Sequence, residues 1–417
     1  MLAHASVLLV HPTGNQSVAH AALELHRAGA LAGFHTTIAW WADSLLGRLL
    51  PAAVDSELSR RRYPGIPRDL IHTHPWRETA RLLAERGGWR LLTRPETGPF
   101  CFDAVCASLD RAVARSLAKE SSAAAHSAAV YAYDDCALQA FHAARQRAIR
   151  RIYELPIDHY RAYNRIVAEE RKLRPEWAST LPGLHNSVAK LARKDDELLQ
   201  ADSIMVGSSF TAKTLETFSV PLPAKIFSVP LGAPPLGPPR LPTQLQNPLR
   251  VLFVGILSQR KGIGYLIEAT ARLKIPFTLT LAGRPIARPP AMESALARHL
   301  WIPTAPHGEV LKLMREHDVL VFPSLFEGFG LVILEAMAQG TVVIATPNTA
   351  APDLFADGEG GFIVPIRSPD AIADRLTQLA EDRDLLARMS EQARSVAARF
   401  TWELYGERLL AAIAAGF

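Results

Sequence analysis

From Val319 to Gly340 the chain reads as strand, glycine turn and buried helix, an order that few folds accommodate. Val319–Phe322 is an apolar run of strand length, stopped by Pro323 and Ser324. The turn carries Glu327, Gly328, Phe329 and Gly330. Every position from Leu331 to Ala338 is then apolar except Glu335, and Gly340 stands where a helix C-cap belongs. A helix apolar on all sides is a buried one, so Glu335 cannot turn to solvent. A buried carboxylate needs charged or hydrogen-bonding partners, or it takes up a proton. Glu327 and Glu335, eight positions apart, one in a glycine turn and one inside a buried helix, have the character of ligand machinery. A structural glutamate paired with a core arginine or a backbone amide is the plain alternative for Glu335.

The rest of the chain carries the same alternation of strand and helix. Val7–Val10 is a buried first strand, His11 to Ser17 a turn of small and polar residues, Val18 to Ala30 a helix, and Thr36 to Ala39 a second strand. This is the opening of a doubly wound α/β domain. Gly14 lies in a loop at the sheet's carboxyl edge, where such folds bind ligands; it is equally well explained as turn chemistry. Residues 43–99 are broken by six prolines and read as short helices and loops. Phe102 to Lys119 is helical, Ala128 to Tyr133 a strand, Asp134 or Asp135 the cap of a following helix, and Ile149 to Leu155 another strand. Ile204–Val206 and Ile226–Val229 are strands flanking a helix, Phe210 to Phe218.

A stretch dense in proline and glycine begins at Pro230 and ends near Asn247, the sharpest composition change in the chain. It separates an N-terminal domain, residues 1–230, from a second α/β domain, residues 248–400, with residues 231–247 as linker and 401–417 as a closing helix. The second domain opens with Val251–Val254, then Gly255 and the loop to Gly262, in which Arg260 and Lys261 are adjacent. Two cations beside free amides at a helix N-terminus make an anion site suited to a diphosphate. A surface Arg-Lys pair is the plain alternative.

A chain of 417 residues with 48% hydrophobic and 21% charged content has room for two cores. A net charge of +5 suits an anionic ligand and falls short of a nucleic-acid binder. Basic clusters at Arg60, Arg61 and Arg62 and across Arg145, Arg147, Arg150 and Arg151 read as solvated faces, with contact to an anionic membrane surface as the alternative. Three cysteines are too few and too irregularly spaced for a zinc site or a disulfide framework, which suggests a reducing compartment. Asp134-Asp135 and His72-x-His74 each lack further hard ligands nearby and read as non-metal. No basic leader and no span-length apolar segment is visible. The expected location is cytoplasmic, with peripheral attachment to the inner membrane face as the alternative.

The set Gly255…Arg260-Lys261-Gly262, Pro323-Ser324…Glu327-Gly328-Phe329-Gly330 and Glu335-Ala336-x-Ala338-x-Gly340 resembles the GT-B nucleotide-sugar glycosyltransferases of the large retaining family 4. The likeness is specific over about 249–365 and extends more weakly to Ala201-Asp202-Ser203-Ile204, Val229-Pro230-Leu231-Gly232 and Phe400-Thr401-Trp402-Glu403. It implies two Rossmann-like domains facing a central cleft, with the donor on the C-terminal side and the acceptor on the N-terminal side. Glu327 would face the donor sugar, and Gly328, Phe329, Gly330, Leu331 and Val332 would offer amides to the phosphates. Glu335 would accept hydrogen bonds from the ribose diol. Arg260 and Lys261 would neutralise the departing diphosphate, and no metal or other cofactor is expected. The partners implied are a nucleoside-diphosphate sugar and an acceptor of unspecified class: polysaccharide, lipid-linked or small molecule.

Two departures stand out. The family commonly has arginine straight after the first glycine, where this chain has Ile256. Many members also carry a histidine at the end of an N-terminal-domain strand, where this chain reads Tyr153-Glu154-Leu155-Pro156, with His159 later. Glu154 facing the transferred sugar and Glu154 as a mere strand-end residue both remain open. A catalytically silent GT-B binding or scaffold protein is one rival; an oxidoreductase is another, opposed by the lack of G-x-G-x-x-G in either half.

Overall fold

The computed structural model describes residues 6–41, 43, 58, 61–119, 127–181, 183, 186–239 and 248–416. Two wholly parallel sheets form the frame. The N-terminal sheet takes β1 (Val7–Val10), β2 (Leu31–Thr36), β3 (Ile71–Thr73), β4 (Ala129–Tyr133), β5 (Arg150–Leu155), β6 (Ser203–Val206) and β7 (Lys225–Ser228), in the order β3-β2-β1-β4-β5-β6-β7. The C-terminal sheet takes β8 (Leu249–Val254), β9 (Phe277–Ala282), β10 (Leu300–Ile302), β11 (Val319–Phe322), β12 (Val342–Ala345) and β13 (Gly361–Ile363), in the order β10-β9-β8-β11-β12-β13. Strands β1, β4, β11 and β12 are buried at every residue, as apolar runs covered by helices on both faces must be. The strand order reverses between β1 and β4 and between β8 and β11, and at such switch points the loops diverge and leave a crevice. The loops after β8 and β11 are the ones that hold Arg260, Lys261 and Glu327.

Several elements fall elsewhere than the sequence pattern suggests. Strand β2 begins at Leu31 and ends at Thr36, not beyond: Phe34 fills the core, and Gly33 lets the His72 ring lie against the backbone. Neither Asp134 nor Asp135 caps the helix Leu138–Arg145. Asp110, from the helix Phe102–Lys119, accepts from the Gln139 and Ala140 amides at 2.8 Å each. The two aspartates are instead drawn to Arg193 and Lys194 on the helix Val188–Gln200.

Two segments tie the halves together. The helix Tyr160–Leu173 and the 3-10 turn Pro175–Thr180 belong by position to the N-terminal half, yet Ala162, Ile166 and Trp177 lie in the core of the C-terminal sheet. Glu170 on that helix is fully buried and bonded to Gln259 Nε2 (2.7 Å), Tyr265 Oη (2.8 Å) and Arg367 Nε (2.8 Å). The last helix, Trp402–Ala415, packs Trp402, Tyr405, Leu409 and Ile413 into the N-terminal core beside the helix Gln16–Arg27, and His20 stacks on Trp402 at 4.0 Å. Between the domains the chain runs back along this junction, where the Ala233 amide bonds to the Phe400 carbonyl at 2.6 Å; residues 240–247 lie outside the described residues.

Candidate active site

The loop after β8 turns through Gly255–Ser258 into a 3-10 turn, Gln259–Lys261, and Gly262 then starts the helix Ile263–Arg272. Gly262 has φ +74°, and a Cβ there would lie 2.0 Å from the Pro323 carbonyl oxygen, so only glycine lets the two loops meet. The meeting is close elsewhere too: the Leu325 amide bonds to the Arg260 carbonyl at 2.9 Å. Arg260 Nη1 donates to the Phe326 carbonyl at 2.8 Å and lies 3.3 Å from Glu327 Oε2. Lys261 Nζ pairs with the same Glu327 oxygen and sits 4.8 Å over the Phe322 ring. Burial lowers the Lys261 pKa, with the Glu327 charge opposing and the Arg260 charge assisting. Three charges are thus held together at the switch point, able to bind an anion and orient a hydroxylated ligand.

The expectation of free amides at this turn is corrected. The amides of Lys261, Gly262 and Ile263 bond to Ser258 and Gln259 carbonyls, and the Gly264 amide bonds to Gln259 Oε1 at 3.1 Å. The turn therefore satisfies its own amides, and any anion there is met by the side chains of Arg260 and Lys261.

The loop Glu327–Gly330 faces the other domain. Ser208 Oγ donates to the Gly328 carbonyl at 2.6 Å, with Thr211 Oγ1 2.8 Å from the same oxygen. A Cβ on Gly328 would lie 2.3 Å from the Pro156 carbonyl oxygen, and the Phe329 ring packs against Gly207. Leu331 caps the helix Val332–Ala338, placing Phe329, Gly330, Leu331 and Val332 at its N-terminal end. Inside it, Glu335 is 9% exposed, and Oε1 lies 2.8 Å from His307 Nε2 at the start of the helix His307–Glu316. Glu335's partner is thus an imidazole rather than a core arginine, and the bond to Glu335 raises the His307 pKa.

A cavity of about 380 Å³ opens between the domains beside this cluster. Arg260 and Glu327 line it from the C-terminal side; Asp134, Asp135, Asp158, His159 and Tyr160 are among its N-terminal residues. Asp158, three residues past the end of β5, is 5% exposed. Its Oδ1 lies 2.5 Å from Thr211 Oγ1, while its Oδ2 has no hydrogen-bond partner among the described residues. Burial pushes the Asp158 pKa up to about 7, with Thr211 and Arg260 working against the rise and the Glu327 charge adding to it. His159 is held down to about 4, chiefly by burial. A second interdomain cavity, about 590 Å³, is lined by Gln16 and His307 among others; Gly14 is not among its lining residues.

Glu154 is not part of this gathering. Its carboxylate accepts from Tyr131 Oη inside the N-terminal domain, and burial pushes its pKa up to about 7. Gly255 has φ +136° and turns the chain out of β8. The basic clusters are also spoken for: Arg61 pairs with the buried Glu78, Arg151 with Asp202, and Arg150 bonds to the Gly416 carbonyl, while Arg60 lies outside the described residues. Asp158, Thr211 and His307 were not singled out from the sequence. Asp158 is three residues past β5, whereas Glu154 within that strand and Asp134 just after β4 stand nearer a strand end, so position along the chain does not distinguish it. Nothing in the sequence marks His307. Among the described residues no group of three or more His, Cys, Asp or Glu has a geometry that could hold a metal ion, and no helix is long and apolar enough to cross a membrane.

The loops that carry the charged cluster fall inside a known family pattern. Residues 242–396 match the family model of the glycosyl transferases group 1. The chain is 36% identical over 174 residues to D-inositol 3-phosphate glycosyltransferase of Corynebacterium urealyticum, covering 38% of this chain and 41% of that protein. It is 30% identical over 240 residues to the protein of the same name from Streptomyces griseus, covering 52% and 50%. The chain thus spans half or less of the length of these curated relatives. Among solved structures, Anabaena Alr3699/HepE in complex with UDP matches with a TM-score of 0.62 at 15% identity, over 98% of this chain and 100% of that one. Sucrose-phosphate synthase from Thermosynechococcus elongatus matches with a TM-score of 0.64 at 18% identity, over 99% and 98%. The fold is GT-B: two Rossmann-like domains facing a central cleft.

Proposed function

We propose that this chain is a retaining glycosyltransferase that moves a sugar from a nucleoside-diphosphate donor to a hydroxyl acceptor without a metal ion. The observation that carries the reading is the convergence of Arg260, Lys261 and Glu327 at the β8/β11 switch point, beside a cavity shared with the N-terminal domain. Structures similar in fold hold UDP and UDP-glucose, and the group 1 match covers the loops in question. In this reading Glu335 exchanges His307 for the ribose diol, and the amides from Phe329 to Val332 face the phosphates. The anomeric C–O bond breaks with its electron pair leaving on the diphosphate, where Arg260 and Lys261 stabilise the charge. Charge-assisted hydrogen bonds of this kind contribute about 1.5–3 kcal/mol each. The acceptor oxygen bonds to the same face of the anomeric carbon and its proton passes to the departing phosphate. Glu327 orients the sugar, and the apposed domains exclude water.

Screening nucleotide sugars for released nucleoside diphosphate tests this, and no release from any donor removes it. The rival, a catalytically silent nucleotide-binding protein, is favoured by Ile256, which is 51% exposed where the resemblance leads one to expect arginine. Turnover of any donor, hydrolysis included, removes that rival. A cytoplasmic site of action is part of the proposal. Peripheral contact with an anionic membrane, once the basic clusters are set aside, falls to the exposed Trp76, Leu83, Trp89 and Leu91 beside Arg86 and Arg90, and vesicle co-sedimentation tests it.

A further inference from the structure

The cavity between the domains has a charge pattern that selects among acceptors. Its three lining cations are already matched: Lys190 Nζ to Asp103 at 2.6 Å, Lys194 Nζ to Asp134 at 2.5 Å and Asp135 at 3.1 Å, and Arg260 to Glu327 at 3.3 Å. Among the described residues four carboxylates line the cavity against those three cations, and the carboxylate left over is Asp158, whose Oδ2 is buried with no hydrogen-bond partner among them. The remaining polar groups suit hydroxyl groups: the His159 imidazole is neutral near pH 7, its Nε2 3.8 Å from Asp195 Oδ1 and beyond hydrogen-bond reach of it, and Asn186 stands at the wall. The rings of Tyr160 and Tyr163 add the apolar surface that a sugar's C–H face packs against. The volume of about 380 Å³ falls at the lower end of the roughly 300–1,000 Å³ of small-ligand pockets, enough for a single ring.

We propose that this cavity is the acceptor subsite and takes an uncharged polyhydroxy compound, a sugar or cyclitol without phosphate, whose reacting hydroxyl is held by Asp158 Oδ2. The proposal rests on the transferase reading above and adds the acceptor class to it. A phosphorylated acceptor would meet a bare carboxylate and would have to break an existing ion pair to find a cation. A neutral polyol donates a hydrogen bond to Asp158 and satisfies Oδ2, a buried oxygen with no partner among the described residues. The chain thereby departs from the relatives whose name specifies an inositol phosphate. Asp158 acts here as a positioning residue for the acceptor. Around it stand Glu327 and Arg260 from the C-terminal loops, Thr211 from the helix Ser209–Thr214, Lys190 and Lys194 from the helix Val188–Gln200, and its neighbours His159 and Tyr160.

The test uses the full chain and whichever nucleotide sugar it turns over, with two matched acceptor pairs: myo-inositol against D-inositol 3-phosphate, and D-glucose against D-glucose 6-phosphate. The unphosphorylated member of at least one pair is expected to show a kcat/KM about ten-fold or more above its phosphorylated partner, one such factor being 1.4 kcal/mol of discrimination. Asp158→Asn is expected to act mainly on acceptor KM, lowering kcat/KM about ten- to hundred-fold. The parent chain is expected to show a rise of kcat/KM through about pH 7 as Asp158 ionises, and the Asn variant to lose it. Preference for the phosphorylated members, or no acceptance of either pair above donor hydrolysis, overturns the proposal whether or not the Asn variant folds. An Asn variant with the parent's KM and pH profile overturns the role of Asp158. Absence of turnover with every donor removes the transferase reading and this proposal with it; donor turnover with the wrong acceptor preference removes this one alone.

Discussion

Lys261 and Glu327 stand on different loops, the first after β8 and the second after β11, and their side chains form an ion pair at the switch point of the C-terminal sheet. The pair is largely shielded, with side-chain exposures of 12% and 19%. In the proposed reaction each partner also serves the donor, the lysine meeting the diphosphate and the carboxylate meeting the sugar. Glu327→Ala should therefore lower kcat by about 10²-fold or more, the loss typical of one preorganised electrostatic group. Steady-state release of nucleoside diphosphate checks this, and full activity in a Lys261→Ala/Glu327→Ala double variant contradicts it.

The bond between His307 Nε2 and Glu335 Oε1 makes nucleotide binding depend on pH. Glu335 raises the His307 pKa above its ordinary value of 6.5, so the charged pair is fully formed below that value and is lost as pH rises through the raised one. A ribose diol must compete with that pair for Glu335. Nucleoside diphosphate should bind more tightly at about pH 8 than at about pH 6, with a proton released from His307 on binding. His307→Ala should flatten the dependence. Titration calorimetry in buffers of different ionisation enthalpy measures both effects.

Gly328 lies at a close approach between the domains. Gly328→Ala sets a Cβ 2.3 Å from the Pro156 carbonyl oxygen, and the backbones must part to admit it. A cost of about 1–3 kcal/mol is expected for overpacking of this kind. Denaturant unfolding reads the loss, and small-angle scattering should show a wider interdomain separation. An Ala variant as stable and as compact as the parent would contradict this close backbone contact.

Glu170 joins the N-terminal half to the C-terminal core through Gln259, Tyr265 and Arg367. Because its side chain is wholly buried, Glu170→Ala leaves Gln259 Nε2 and Tyr265 Oη without this acceptor and Arg367 with its Glu169 pair, a loss of about 1–3 kcal/mol for each group left unsatisfied. A single, lower thermal transition is the expected result. An unchanged transition would mean that the contact adds nothing to the junction.

What the sequence disclosed follows from range. Val319–Phe322 and Val342–Ala345 were legible as buried strands because their apolar runs are local and bounded by Pro, Ser and Gly, and the structure has both at those limits. The burial of Glu335 was legible because its neighbours along one helix are all apolar. The partners of charged residues were not, since they arrive from distant segments. Asp134 and Asp135 resemble helix caps in sequence but answer to Arg193 and Lys194, some sixty positions on. Arg61 and Arg151 resemble a solvated basic face but are held by Glu78 and Asp202. The helix start at Arg260-Lys261 resembles an open anion site, yet the Gln259 side chain and the Ser258 carbonyl occupy its amides. Asp158 lies in a plain loop sequence and gains its character only when Thr211 and Glu327 close around it.

Isothermal titration of the full chain with UDP, GDP and ADP tests the donor site most directly. Saturable binding of one of the three, weakened about ten-fold or more by Glu335→Ala without loss of folding, is the predicted result. No binding of any of them, or a dissociation constant that Glu335→Ala leaves unchanged, would contradict it.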